Sequence, residues 1–510
     1  MYKPIVLQEN GKIVFYKSFC QTEEELMRIN SYLKTISMPI KVDNLCEIYE
    51  LDDYSLINLV LDGSDKKDKF IKFIDNNSEY PFPKSLLDKI ENIELNLKEV
   101  KLELGDGQVL LKILRGDISF IEKLNKDKNI IDKGNNEEYR FNTNDLHKIF
   151  NKLNENNVVI RLPKCNVNSV VNIGKNKINM RYYQEQAFDL LKDRSYATLI
   201  MPIFSGKNYV ALNIIGYVKK KTLIFCNGKE QLERWKKQLV KLLGVSTERI
   251  TICDSENFII NDFILCNYEY ISTNRKIIEK LIYSEWGMVV YDDAHKAVTD
   301  NVIDILLIKS ERKIALASSL DRSDGKEKKL FSVFGEAIYN ITNNELINHL
   351  YQKELDIQRV SIEECKKSKE DIIREKLLEL ENRRVIIVAH KVDDVETIAK
   401  ELKIDFLNQK ISEEARDELV EKFNNKDINV FCCSNLIEKY RFMDVDVMIA
   451  AGYRGKSKTE EHFRIGTLIS TRDQLDRMKK VYNIYLYDSK EEKIVNEKIG
   501  YLKEWGFLRT

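Results

Sequence analysis

The sequence predicts an α/β protein in which two tandem, doubly wound parallel-sheet lobes follow small α+β modules at the N-terminus. Short apolar runs alternate with helical segments from about residue 175, and the pattern restarts after a charged stretch at 366–382, which predicts the two lobes. A hairpin signature around residue 105 and a mixed, apolar first 65 residues predict the modules ahead of them.

Within residues 1–65, Ile5-Val6-Leu7 and Ile13-Val14-Phe15 read as strands and 23–33 as a helix, with Tyr54-Ser55-Leu56-Ile57 completing a small α+β unit. Residues 93–114 alternate through Ile93, Leu95 and Leu97, then Leu102 and Leu104, break at Gly105-Asp106-Gly107 and resume from Val109 to Ile113. That pattern predicts a β-hairpin in a second module at 66–170. Residues 124–140, dense in Lys, Asn, Asp and Glu, read as a surface connection ahead of a helix at 144–154. In the first lobe, 175–345, strands are expected at 197–201, 223–225, 250–252, 263–265, 288–290 and 314–316. In the second, 375–510, they are expected at 385–388, 430–432, 447–449 and 481–487, with a C-terminal helix last.

At 510 residues the chain has room for roughly three or four domains, and a hydrophobic content of 43% supplies their cores. Lys plus Arg and Asp plus Glu both number 82, so any nucleic-acid path is a local stripe rather than a global basic surface. The nine cysteines form no CxxC pair and the five histidines have no zinc spacing, so reduced, buried thiols in an intracellular protein are expected. There is no run of about 18 apolar residues and no charged-then-apolar leader, and neither membrane insertion nor secretion is expected.

The chemistry-bearing residues begin at Pro202-Ile203-Phe204-Ser205-Gly206-Lys207-Asn208. A strand, a glycine turn and a helix start converge backbone N–H groups and the helix dipole on one point, which suits a phosphate. Ser205, Gly206 and Lys207 are the candidate phosphate ligands, while Asn208 occupies the place where motor ATPases hold Mg²⁺ with a Ser or Thr hydroxyl. By itself, Ser-Gly-Lys-Asn reads first as an ordinary strand-to-helix turn with a surface lysine. Some 85 residues further on, Val289-Val290-Tyr291-Asp292-Asp293 runs an apolar strand into two carboxylates. In that pattern the first carboxylate, Asp292, anchors Mg²⁺ through water and the second, Asp293, positions the attacking water. The pair of motifs together favours a nucleotide site.

With these motifs in view, the chain resembles the XPB family, the superfamily 2 DNA translocases of transcription factor TFIIH. Met180-Arg181-Tyr182-Tyr183-Gln184 is similar to the family's Leu-Arg-Pro-Tyr-Gln element, which implies adenine reading by Gln184 with Arg181 beside it. Residues 231–235 resemble its Glu-Gln-Trp helix, Glu285-Trp286-Gly287 its Glu-Trp-Gly, and 314–324 its Leu-Gly-Leu-Thr-Ala-Thr-Leu-Val-Arg-Glu-Asp. Residues 49–63, 81–90 and 500–507 also resemble family segments, so the likeness reaches across essentially the whole chain. It implies RecA-like lobes, ATP with Mg²⁺ as cofactors, double-stranded DNA as partner, other TFIIH-type subunits docking on the N-terminal module, and a nuclear protein in transcription initiation and excision repair. It also implies 3'-5' polarity, a strand-separation role for Arg322 and Asp324, a catalytic arginine at Arg464, and DNA-backbone contact at Tyr268, where a core tyrosine is nearly as good a reading.

The departures from the family fall on the catalytic path. Asn208 offers only a longer, less well placed amide oxygen to Mg²⁺, and Asp293 stands for a glutamate, withdrawing its carboxylate by about 1 Å, a displacement worth roughly 10²-fold in rate. Leu436-Ile437-Glu438 replaces Gly-Asp-Thr, and Thr467 and Ser470 fill arginine slots, where arginine fingers contribute about 10³ to 10⁵ in rate. Arg322-Ser323-Asp324 replaces Arg-Glu-Asp, and 360–384 is too short for most of a DNA-gripping thumb. Impaired ATP hydrolysis is therefore expected, with a silent scaffold or regulatory subunit as the alternative. A phage or restriction-type translocase is a second alternative, against which the family-like N-terminal modules count.

Overall fold

The structure is a computed structural model. It describes residues 2–508 apart from 43–44, 62–63, 106, 126–130, 134–137, 203–204, 255–257, 319–329, 331–332, 335–336, 340, 349–354, 435, 437–439, 441, 454–457, 470–477 and 506. Two compact units divide the chain, one reaching Ile341 apart from two short stretches and the other running from Thr342 to the C-terminus.

The first unit opens with an antiparallel sheet, β1 (Ile5–Leu7), β2 (Lys12–Tyr16), β3 (Met38–Val42) and β4 (Cys46–Glu50), in the order β1-β2-β4-β3. Helix α1 (Glu23–Ile36) starts where Thr22 accepts the Glu25 N–H, carries three glutamates in its first turn, and buries Ile29, Leu33 and Ile36. Glu47 lies in this core, and burying a carboxylate requires donors. Lys17 Nζ at 2.7 Å, Asn30 Nδ2 at 2.6 Å and the Tyr49 hydroxyl supply them.

Helices α2 (Asp53–Val60), α3 (Ser64–Asn77) and α4 (Lys84–Asn96) lead to the hairpin of β5 (Glu99–Gly105) and β6 (Gln108–Arg115). The hairpin closes with Gly105 opposite Gln108, and Gly107 takes a φ of +75° that a residue with a Cβ resists. The strand pattern expected from Ile93 is overturned, because residues 93–96 belong to α4. Leu86 and Ile90 are buried and Ile93 packs on the same core, a helical spacing, while Leu95 is 83% exposed. The connection expected at 124–140 contains β7 (Ile131–Lys133) and enters β8 (Glu138–Asn142). With β9 (Val159–Arg161), which follows helix α5 (Leu146–Glu155), they form a five-stranded sheet, β7-β8-β6-β5-β9.

A seven-stranded, wholly parallel sheet follows: β10 (Tyr196–Ile200), β11 (Thr222–Cys226), β12 (Ile250–Ile252), β13 (Phe263–Asn267), β14 (Trp286–Tyr291), β15 (Ser310–Ala317) and β16 (Ala337–Tyr339), ordered β12-β13-β11-β14-β15-β10-β16. Parallel strands covered on both faces read as unbroken apolar runs; every residue of β11 and of β14 is buried. Chain order jumps from β10 at one side to β11 beyond β14, the kind of reversal that opens a crevice at the carboxyl ends of strands. The core of this sheet is continuous with that of the preceding module: Val100, Leu111, Phe141 and Phe150 belong to one cluster with Leu223, Ile264 and Val289.

In the second unit, β17 (Leu355–Ser361), β18 (Val385–Val388), β19 (Asp405–Leu407), β20 (Val430–Cys433), β21 (Val447–Ala450) and β22 (Lys479–Tyr485) form another parallel sheet, ordered β17-β22-β21-β18-β20-β19. Strand β17 pairs along its whole length with β22, from Leu355 opposite Lys479 to Ser361 opposite Tyr485. The protein is thus an α/β chain with two RecA-like parallel-sheet lobes behind small N-terminal sheets. No helix among the described residues is long and apolar enough to cross a membrane.

The shared core makes the second module and the first lobe one stability unit. Phe150→Ala is expected to cost about 3–5 kcal/mol. Urea unfolding followed through Trp235 and Trp286 in the lobe should shift with it; an unchanged midpoint would show that the two cores are independent.

Candidate functional site

Strand β10 delivers the chain to the loop at its carboxyl end, where Met201 N–H bonds Ala317 O at 3.1 Å. Ser205 closes a turn on Pro202, its N–H and Oγ both donating to that carbonyl, at 3.2 and 2.6 Å. Gly206 then takes φ +90°, and a Cβ built there would collide with Gln184 Nε2. Glycine takes that left-handed turn without strain and leaves the Gln184 amide in place. Helix α7 (Lys207–Val218) starts immediately after and is anchored by buried Val210, Ala211, Leu212, Ile214 and Ile215.

Gln184 sits in the first turn of α6 (Tyr182–Leu191), 2% exposed, with its Oε1 accepting the Arg181 N–H at 2.9 Å. The Arg181 side chain donates to the Tyr183 hydroxyl at 3.1 Å. The expected adenine-reading pair therefore lies directly against the phosphate-type loop. Lys207 is buried, and its ammonium donates to Met201 O at 3.1 Å and Ser318 Oγ at 3.0 Å, across the ends of β10 and β15. Burial lowers its pKa, with Asp293 and Asp292 pulling in the opposite direction.

Asp292 follows the last residue of β14 and is 5% exposed. Its Oδ2 accepts from Trp235 Nε1 at 2.9 Å and from Asn208 Nδ2 at 3.4 Å, and its Oδ1 accepts the Asp293 N–H at 3.1 Å. Asp293 adopts a left-handed φ of +51°, and Gln231 Nε2 reaches its Oδ2 at 3.4 Å. Burial, then the adjacent Asp293, push the Asp292 carboxyl up to about 6, against Trp235 and Lys207. The two carboxylates are held from one helix face, since Gln231 and Trp235 are one turn apart on α8 (Lys229–Leu243). Sequence reasoning assigned neither residue a site role; their four-residue spacing was the available signal. Ser318 was likewise missed.

Mg²⁺ is the metal that helicase lobes imply. The cation needs oxygen lone pairs. Asp292 Oδ1 accepts a single N–H and keeps a lone pair that would hold the cation's water shell, whereas Asn208 turns its N–H₂, not its oxygen, toward Oδ2 and adds no ligand.

Tyr268 begins α9 (Tyr268–Thr273) but is 3% exposed, with its ring stacked on Phe225 at 5.8 Å, so it is placed as a core tyrosine. Arg464, in the helix Lys458–Ile469, is 2% exposed and lies in the second unit. It pairs with Glu461 at 3.3 Å, and Lys498 approaches the same carboxylate at 3.0 Å. Burial works to raise the Glu461 pKa, but Arg464 and Lys498 outweigh it and hold it low. Thr467 and Leu436 are buried as well. Arg322, Asp324, Ser470, Ile437 and Glu438 lie outside the described residues.

Comparison with known proteins matches residues 177–319 to the family described as "Type III restriction enzyme, res subunit" and 368–466 to "Helicase conserved C-terminal domain". The "TFIIH basal transcription factor complex helicase/translocase XPB subunit" of Trypanosoma brucei brucei is 21% identical over 391 residues, 65% of this chain and 42% of that protein. The "DNA 3'-5' helicase XPB" of Kineococcus radiotolerans is 18% identical over 355 residues, 64% of this chain and 63% of that protein. The chain thus spans about half the length of these curated relatives. Among solved structures, Saccharomyces cerevisiae Dbp5 bound to RNA and ADP BeF3 superposes with a TM-score of 0.51 at 13% identity, covering 64% of this chain and 88% of that one. That likeness concerns the fold alone.

Because the folded pKa of Asp292 lies above the ordinary 3.8, protonation favours the fold: the stabilisation present below about pH 4 is lost as pH rises through about 6. The ionised carboxylate then costs on the order of 3 kcal/mol at neutral pH. Asp292→Asn, which keeps an oxygen for Trp235, should gain Tm relative to wild type as pH rises from about 4 to 7; parallel melting curves would contradict this. Arg464→Ala, which leaves Glu461 buried with half its compensation, should cost about 3–5 kcal/mol by chemical denaturation. A loss under about 1 kcal/mol, the range of exposed pairs, would place Arg464 in solvent.

Proposed function

We propose, since this chain is XPB-like and built as a superfamily 2 helicase, that it is a nucleotide-binding, DNA-associated subunit of a TFIIH-type assembly whose ATP hydrolysis is impaired. The contact of Asn208 with Asp292 carries the second half of that reading. A hydroxyl at position 208 would offer the metal a ligand; the amide instead turns its N–H₂ toward Asp292 Oδ2 at 3.4 Å. Lys207, Gly206, Ser205, Gln184 and Arg181 support retained nucleotide binding, because a left-handed glycine, a lysine and a helix start converge there. Asp293, one methylene shorter than the family's glutamate, further weakens water activation.

Double-stranded DNA, transcription initiation, excision repair and a nuclear setting come to this chain from its resemblance to XPB and from the names of the relatives it matches. Residues 1–65 are proposed to dock a partner subunit, 66–170 to resemble the damage-recognition module, and 175–345 and 375–510 to be the helicase lobes. Arg322 and Asp324 remain proposed DNA-linked residues on sequence grounds. A second reading, a scaffold with no turnover at all, is favoured by one observation: Arg464, the arginine expected to act on phosphate, is buried with one nitrogen paired to Glu461.

A DNA-stimulated ATPase assay tests the proposal. Turnover is expected at least about 10²-fold below that of an XPB-like enzyme with intact motifs; a rate within about tenfold of it would overturn the reading. Nucleotide titration should show weak binding that Lys207→Ala abolishes. Binding untouched by that substitution would remove Lys207 from the site.

A further inference from the structure

Strands β12 and β13 run parallel with Ile252 opposite Leu265, and the ladder continues one step further, because the Cys253 N–H donates to Leu265 O at 2.9 Å. That step sets Cys253 beside Cys266. Lateral neighbours in a sheet point to the same face, and both cysteines lie in the apolar cluster that holds Phe225, Phe258 and Tyr268. The two thiols are hydrogen-bonded to each other. Cys226 on β11 stands opposite Asn267 while Phe225 stands opposite Cys266, so the Cys226 side chain turns to the other face of the sheet. The thiols on this face are therefore a pair.

Neighbouring strands lie about 4.8 Å apart, inside the Cα separation of about 4.4–6.8 Å that a disulfide spans. Both cysteines are free. Cys266 is fully buried and Cys253 is 2% exposed, and burial, then Cys253, raise the Cys266 pKa well above that of an ordinary thiol. Since the thiolate is the attacking form, the closed pair is protected. Cys253, however, directly follows a three-residue strand at the edge of the seven-stranded sheet. An element with so few contacts opens ahead of the rest of the lobe and brings this sulfur to solvent first.

We infer that Cys253 and Cys266 form an oxidation site, at which a peroxide converts the dithiol to a disulfide that staples β12 to β13. The Cys253 sulfur attacks one peroxide oxygen, the O–O bond breaks, and the other oxygen leaves as water with the thiol proton, giving a sulfenic acid. The Cys266 sulfur then attacks the Cys253 sulfur, and the displaced hydroxide takes the second thiol proton as another water. Two thiols and one hydrogen peroxide thus give one disulfide and two waters, with sulfur oxidised and peroxide oxygen reduced. A dithiol reductant reverses the step by exchange.

Treating the full chain with hydrogen peroxide, unfolding it in N-ethylmaleimide and digesting it with trypsin tests the site, because no Lys or Arg occurs from 250 to 274 and both cysteines fall in one fragment, residues 250–275. Mass spectrometry of that fragment is expected to show two maleimide labels from the untreated chain. After peroxide it should carry no label and weigh two hydrogens less, and dithiothreitol before labelling should restore both labels. Cys253→Ala is expected to abolish the loss of hydrogens. The unfolding constant of the oxidised wild-type chain in urea should be at least about tenfold smaller than that of the reduced chain. A fragment that keeps both labels after peroxide, or that gains oxygen instead of losing hydrogens, would overturn the site. Equal unfolding constants would overturn the stapling.

Discussion

The carboxylate of Asp292 is the constraint around which the first lobe is arranged. Strand β14 is buried at every position, so the chain leaves it in the interior and at once meets an acidic group that the interior penalises. Donors must come to that group, and they come from different elements: Trp235 from α8, Asn208 from α7, and the next backbone N–H. Two helices that contact the sheet mainly through apolar faces are thereby fixed in rotation as well as in position. A ring nitrogen at 2.9 Å tolerates little sliding of α8 along the sheet.

The same logic places the phosphate-type loop. Parallel strands force every connection over a sheet face, so polar side chains collect where strands end and helices begin. Strands β10 and β14 flank β15, which brings Lys207 and Asp292 to one rim and lets Ser318, just beyond β15, bond the lysine between them. Gly206 suits a local need: its φ of +90° favours glycine, and a Cβ there would push the Gln184 amide aside. The adenine-type element and the phosphate-type loop are thus built against each other.

What could be read from the sequence follows from burial. The strands β11, β13 and β14 announce themselves because both faces are covered and the residues are apolar throughout. Strand β17 does not, since its Leu-Asp-Ile-Gln-Arg-Val-Ser breaks its alternation at Arg359, at the edge of its sheet, and three-residue β19 is too short to carry a pattern. Around residue 95 a helix imitates a strand, because Ile93, Leu95 and Leu97 alternate by accident while only Ile93 and Leu97 face apolar neighbours. At the site, the spacing of Lys207 and Asp292 was legible, yet the direction in which Asn208 points was not. For Arg464 the motif was legible, but not the glutamate one turn earlier or the lysine in the C-terminal helix that share its burial.

The survival of Lys207 and Asp292 is weaker evidence of catalysis than it first looks. Each is buried, and each moderates the other's charge: the aspartates raise the lysine's pKa against burial, and the lysine lowers that of Asp292. Each therefore takes part in the charge balance of this lobe whether or not ATP is turned over. Asn208 has no such double duty, because a serine or threonine could occupy the first turn of α7 without stranding any charge. The informative position is therefore the one that changed, and there an N–H donor, not a hydroxyl lone pair, faces Asp292 Oδ2.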